Sequence, residues 1–201
     1  MIKALAAAAA VTVTALPLLV IVLAVASPGA PSQTARNSAG LDGGPSPLAM
    51  TDIPADYRTW YTGAAQTCPG LPWPVLAGIG KVESDHGRSD LPGVHSGANA
   101  AGAEGPMQFL PATFAEFAVD ADPGQPISPY DPADAIYTAA RMLCADGARG
   151  GSTTGIEQAV FAYNHARWYV AEVLSWAGKY AAQPGGGPAT TRPIAVLEPS
   201  S

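Results

Sequence analysis

Apolar residues recur along the middle of this chain at spacings of three and four, the period of helices that turn one face inward. Ile53, Tyr57, Trp60, Tyr61, Ala64 and Cys68 fall on one such face and predict a first helix. From Trp73 to Ser84, Val75, Leu76, Ile79 and Val82 predict a second, and His86-Gly87 supplies its stop, since glycine suits a chain leaving a helix in a left-handed conformation. Asp131-Pro132-Ala133-Asp134 is a start signal, an N-cap acid followed by proline in the first turn; Ile136, Ala140, Met142 and Leu143 carry that helix to Cys144. Thr154-Gly155-Ile156-Glu157 reads as a capping box that opens a helix with Ile156, Val160 and Tyr163 on its inner face. A last helix runs from about Ala166 to Tyr180. Strand-like alternation is absent apart from possible short pieces between Gly93 and Gly105, so the expected fold is all-α with minor β at most.

Within this pattern Glu83 is the acid of interest. It ends an apolar helix, where a groove rather than bulk water would surround it. A lone carboxyl serves glycosidic chemistry only if a partly dry, apolar setting keeps it protonated near neutral pH. Position alone would make Glu83 an ordinary solvated helix-end acid. Two further segments change that reading: Gly105-Pro106-Met107-Gln108-Phe109, and then Ala162-Tyr163-Asn164.

Glu83-Ser84 and these two segments, in this order, carry a resemblance. Residues 53–179 resemble the catalytic domain of the soluble lytic transglycosylase (SLT) family, in particular its exported actinobacterial members, whose fold is similar to goose-type lysozyme. The resemblance implies a lysozyme-like helical domain with Glu83 as the catalytic acid. It also implies that Ser84, Gly105, Met107, Gln108, Phe109, Tyr163 and Asn164 line or close the sugar groove. Pro106 departs from the leucine that many members carry; it stiffens the approach to Met107 and restricts Gly105. The residue types suit these roles. A glutamine amide both donates to and accepts from sugar hydroxyls, methionine gives adaptable apolar contact, and a buried tyrosine hydroxyl needs a partner. Their ordinary readings are core for Met107 and Tyr163, surface amide for Gln108 and helix-end amide for Asn164. The loop 87–104, rich in small residues, is expected to rim the groove.

Ordinary glycosidases place two acids across the scissile bond. Here Asp85, Asp90 and Glu104 are the candidates for a second, and none has a compelling position. The family resemblance implies that none is needed. In that chemistry the glutamate protonates the glycosidic oxygen of the MurNAc-GlcNAc β-1,4 bond, and the substrate's acetamido group stabilises the cationic centre. The glutamate then draws a proton from the C6 hydroxyl to leave a 1,6-anhydro-muramyl end, with no cofactor. A hydrolytic muramidase on the same fold and a non-catalytic cell-wall binding module are the alternatives.

The resemblance implies peptidoglycan glycan strands as the partner, and charge says little about affinity for them. With 10 basic and 16 acidic residues the net charge is −6, so attraction to nucleic acid or anionic polymers is not expected. Trp73, Phe109, Phe114 and Tyr130 are aromatic candidates for stacking on sugars, with core packing the default for each. His86, His95 and His165 lack metal-ligand spacing, and no metal site is expected. Residues 120–131 match a calcium loop poorly: Gly124 stands where a ligand is wanted and Gln125 where glycine is wanted.

The ends of the chain read differently from its middle. Residues 1–26 hold a long apolar run behind Lys3, either a cleaved signal peptide ending at Ala24-Val25-Ala26 or a membrane anchor; on both readings the domain is exported and touches a membrane only through this segment. Residues 27–50 and 181–201, rich in Pro, Gly, Ser and Ala, read as a disordered linker and tail around a catalytic domain at 51–180. Cys68 and Cys144 in an exported domain are expected to pair.

Overall fold

A computed structural model of the protein describes residues 40, 41 and 43–182. The expected signal or anchor segment, most of the linker, and the tail beyond 182 lie outside the described residues. Seven α-helices and one π-helical turn make up the described part: α1 Pro47–Asp52, α2 Ala55–Gln66, α3 Trp73–Ser84, α4 Pro111–Phe117, α5 Pro132–Leu143, the π-turn Cys144–Ala148, α6 Thr153–Asn164 and α7 Arg167–Tyr180. Extended pairing among these residues is confined to isolated bridges such as Glu104 with Phe109. The architecture is all-α, as the periodicity predicts.

Helix α3 is the axis of the core. Val75, Leu76, Ala77 and Ile79 are fully buried, and burying a side chain such as Leu or Ile contributes about 1.5–3 kcal/mol. Its glycines admit neighbours at backbone distance. A Cβ on Gly78 would sit 2.4 Å from the Val173 carbonyl of α7, and one on Gly80 would sit 1.9 Å from the Tyr61 hydroxyl of α2. Helix α7 therefore lies tight against α3, with Tyr169, Val173, Ala177 and Tyr180 buried along its inner face. Cys68 and Cys144 are bonded, with Cα atoms 5.7 Å apart, and tie the chain after α2 to the end of α5.

Local signals account for most helix ends. Asp131 caps α5 by accepting from the Asp134 N–H at 3.0 Å. The start of α6 differs from expectation. Ser152, not Thr154, is its N-cap and accepts from Gly155 N–H at 3.1 Å, because a cap needs the extended backbone that Ser152 adopts. Residues 43–50, expected to belong to the linker, are folded. Ser46 caps α1, donates from Oγ to the Lys179 carbonyl at 2.7 Å, and receives the Ala49 N–H at 3.1 Å. A six-residue helix is too short to show a hydrophobic period, and its anchoring comes from this cap and from α7. Helix α4 was equally silent in the pattern, for the same reason of length.

Candidate active site

Glu83 lies in the last turn of α3, half-buried. Removal from water raises its carboxyl to about 7; the Tyr169 hydroxyl, which donates to Oε1 at 2.5 Å, offsets part of that rise by favouring the charged form. Tyr169 is buried, and its ring is parallel to that of Tyr163, with centroids 6.4 Å apart and planes 4° apart. The Tyr163 hydroxyl donates to the Met107 carbonyl at 2.8 Å, and its ring meets Phe109 at 5.6 Å. Hydrogen bonds and ring contacts thus connect all three motifs through two tyrosines.

The chain leaves α3 through three successive left-handed residues, Asp85, His86 and Gly87. Expectation placed the stop at His86-Gly87, with glycine as the left-handed residue; Asp85 and His86 adopt that conformation as well. Only at Gly87 is glycine required, since a Cβ would lie 2.0 Å from the Tyr57 hydroxyl. The reversal turns Ser84 inward, where Oγ donates to the Pro106 carbonyl at 2.6 Å and accepts from the Gly87 N–H at 2.8 Å.

The second motif is a tight loop closed by reciprocal backbone bonds of 2.9 Å between Glu104 and Phe109. Gly105 has φ +75° and packs so closely on Pro129 that no Cβ fits. Gln108, also left-handed, is half-buried; its amide donates to the Gly105 carbonyl at 2.8 Å and accepts from Asn99 Nδ2 at 2.9 Å. Asn99 in turn receives the N–H groups of Ala101 and Ala103 on Oδ1, which ties the 97–102 loop to the motif.

The expected groove-lining set divides accordingly. Ser84, Gly105, Met107 and Phe109 are buried, with almost none of their surface open to solvent. Gln108 and Tyr163 are half-buried, and Asn164, the last residue of α6, is exposed. Among the aromatic candidates, Phe109 and Phe114 are core, and half-buried Trp73 donates from Nε1 to the Gly43 carbonyl at 3.1 Å. Tyr130 donates to the Gly97 carbonyl at 2.5 Å.

Two residues near Glu83 have structural partners that the sequence did not reveal. His86 is buried, with Nδ1 3.0 Å from the Tyr61 hydroxyl and Nε2 3.0 Å from that of Tyr180, which donates to Asp52 at 2.5 Å. Tyr180, donating to Asp52, accepts from Nε2–H, which leaves Nδ1 as acceptor from Tyr61: a neutral imidazole. Burial lowers its pKa to about 4, outweighing the nearby Asp52 charge. Asp85 is engaged by Lys81 at 2.6 Å and Arg88 at 2.7 Å, a cluster that also holds Asp52. The Arg88 hydrogen bond, followed by that of Lys81, keeps Asp85 below the usual carboxylate range despite partial burial. Asp90 is exposed and Glu104 half-buried in its bridge. Among the described residues no group of three or more His, Cys, Asp or Glu side chains could hold a metal ion, and no helix is long and apolar enough to cross a membrane.

Glu83, at the end of a core helix, with Tyr169 and Tyr163 beside it, forms the candidate site of this helical domain. Residues 84–171 match the family model of the transglycosylase SLT domain, a match that begins immediately after Glu83, so this part of the chain resembles that domain. That match supports lytic transglycosylase activity on cell-wall peptidoglycan, and with it work at the envelope. Among solved structures it is similar to the Escherichia coli lytic transglycosylase Slt35 in complex with bulgecin A, at 16% identity and TM-score 0.51 over 65% of this chain and 75% of that one. It is also similar to a 36 kDa muramidase/transglycosylase, at 16% identity and TM-score 0.50 over 65% of this chain and 76% of that one. These likenesses carry the fold. No curated protein matches the sequence.

Proposed function

We propose that Glu83 is the single general acid and base of a lytic transglycosylase that leaves 1,6-anhydro-muramyl ends. The observation that carries this is its desolvated carboxyl, raised to about 7 with no cation beside it, so that a proton is available where ordinary glutamates have lost theirs. In the first step the Glu83 proton passes to the glycosidic oxygen between MurNAc and GlcNAc, the C1–O bond breaks, and the acetamido carbonyl of the substrate stabilises the cationic C1. In the second, the Glu83 carboxylate takes the C6 hydroxyl proton while O6 bonds to C1, closing the anhydro ring and restoring the acid. No water is consumed. The C6 hydroxyl is already held in the substrate, which favours it over water as nucleophile.

Gln108, Tyr163 and Asn164 are assigned to substrate contact. Gln108 retains one amide hydrogen beyond its two bonds in the loop, a donor for a sugar hydroxyl or acetamido group. With a net charge of −6, affinity for the glycan rests on such hydrogen bonds and on apolar contact. The catalytic unit is assigned to 51–180, joined by the folded segment 43–50, and residues 1–26 to export as a signal peptide or an anchor.

Mass spectrometry of muropeptides released from purified sacculi tests the reading. Anhydro ends are expected from the wild type and none from Glu83→Gln, whose amide cannot donate the proton. Reducing ends as the main product would instead establish a hydrolytic muramidase, and no release by the folded wild type a non-catalytic binding module.

A further inference from the structure

Trp168, the second residue of α7, is 64% exposed. A single exposed leucine such as Leu91 needs no explanation, but an indole carries far more apolar area and is ordinarily well covered. Its position gives the exposure meaning. The indole stands nearly edge-on to Tyr169, with centroids 5.9 Å apart and planes at 81°, and Tyr169 is the residue whose hydroxyl holds Glu83. One aromatic ring, that of Tyr169, therefore separates this exposed indole from the acid.

The surroundings select the kind of ligand. The outward residues of α7 that follow are Ala171, Glu172 and Ser175, and Arg167, His165 and Asn164 precede it, all exposed. An apolar peptide or a lipid surface would need a continuous apolar patch, which polar and small neighbours do not provide. A pyranose ring does not need one. Its C–H face covers an indole face while its hydroxyls stay in water or reach polar side chains on the rim, and an amphipathic indole suits a site that is apolar on one side and wet on the other.

We propose that Trp168 is an aromatic platform for a sugar ring of the bound glycan, on the surface beside the Tyr169–Glu83 pair. This rests on the glycan-cleaving reading above and extends it by naming a residue that sets affinity rather than chemistry. Trp168 touches no reacting atom, so its removal lowers retention of the strand and leaves proton transfer intact.

The test uses the Glu83→Gln protein as a non-cleaving binder, with peptide-free oligosaccharides of alternating GlcNAc and MurNAc as probe. Trp168→Ala and Trp168→Leu are expected to weaken binding about tenfold, and Trp168→Phe to retain most of it, since only phenylalanine keeps an aromatic face. A shift in indole emission on binding should be present in the parent and absent in Trp168→Phe. With Glu83 intact, KM should rise about tenfold in Trp168→Ala while kcat stays within twofold. Should the alanine variant not fold, the leucine and phenylalanine pair decides. Unchanged affinity in the leucine and alanine variants overturns the proposal, as does a fall in kcat at constant KM, which would mean that Trp168 acts through Tyr169. A parent that binds no glycan at all would overturn the functional reading and this inference together, whereas a binding parent with indifferent variants overturns this inference alone.

Discussion

Tyr169 donates its hydroxyl hydrogen to Glu83 Oε1 at 2.5 Å across 86 residues of sequence. The bond and the burial around it pull the carboxyl in opposite directions: loss of water raises its pKa and the phenol lowers it, leaving a value of about 7. A general acid must be protonated to act. The kcat/KM for soluble glycan strands should therefore fall on the alkaline side with an apparent pKa near 7. In Tyr169→Phe the lowering influence is gone, so the alkaline limb should move to higher pH even as the rate at its plateau drops from poorer orientation of the acid. A limb that stays in place or moves to lower pH would show that the phenol does not stabilise the carboxylate.

Glu83 and His86 are near neighbours with opposed linkage to stability. Glu83 takes up its proton near pH 7 when folded against the 4.5 of an ordinary glutamate, so its stabilising contribution is full below 4.5 and lost as pH rises towards 7. His86 is lowered from 6.5 to about 4, so its contribution is present above 6.5 and lost as pH falls towards 4. Between 4.5 and 6.5 the two nearly cancel, and wild-type stability should be almost flat. Glu83→Gln removes one side of the balance. Urea melts of that variant should show stability rising with pH across the window, with a slope approaching one proton, about 1.4 kcal/mol per pH unit. Equal slopes for wild type and variant would refute the opposed titration.

What the sequence made legible follows from which signals are local. The bounds of α3, the Asp131 cap and the acid at the helix end are written in adjacent residues, and the structure agrees with each. Long-range partners left no such trace. His86 is unpaired in sequence because its partners, Tyr61 and Tyr180, are 25 and 94 residues away. Tyr169 belongs to no motif, although Val173, Ala177 and Tyr180 share its inner face and their spacing marks that face as buried. Met107 and Phe109 illustrate a different limit. A motif marks residues along the chain but not their depth in the fold, and both are buried in the core.

The buried hydroxyl of Ser84 joins the end of α3 to the Pro106 carbonyl and the Gly87 amide, so its loss strands two polar groups. Ser84→Ala should cost about 1–3 kcal/mol of stability, the penalty of leaving buried groups unpaired. Because the same bonds fix the turn after Glu83, activity measured well below the melting temperature should also fall. Full stability and full activity in the variant would mean that the serine is dispensable to both.

The Cys68–Cys144 bridge closes a loop with a sequence separation of 76 residues. In the chain-entropy model a loop of that size contributes about 4 kcal/mol, acting on the unfolded chain. Reduction should lower the melting temperature while sparing activity at low temperature, and thiol titration of the unreduced protein purified from the culture medium or envelope should find none. Two reactive thiols would refute the pairing there.

The last prediction concerns the absence of a second catalytic acid. Asp85 is held by Lys81 and Arg88, Asp90 stands in water, and Glu104 belongs to the bridge with Phe109. If Glu83 acts alone, Asp90→Asn and Glu104→Gln should each leave most of the rate, since a carboxylate outside the reaction exerts only a weak, screened field. Asp85→Asn should lower stability through its lost ion pairs but likewise preserve the distribution of products. All three should continue to yield anhydro ends. Collapse of activity in one folded variant, with reducing ends as the wild-type product, would assign that residue the water-activating role and make the enzyme a hydrolase.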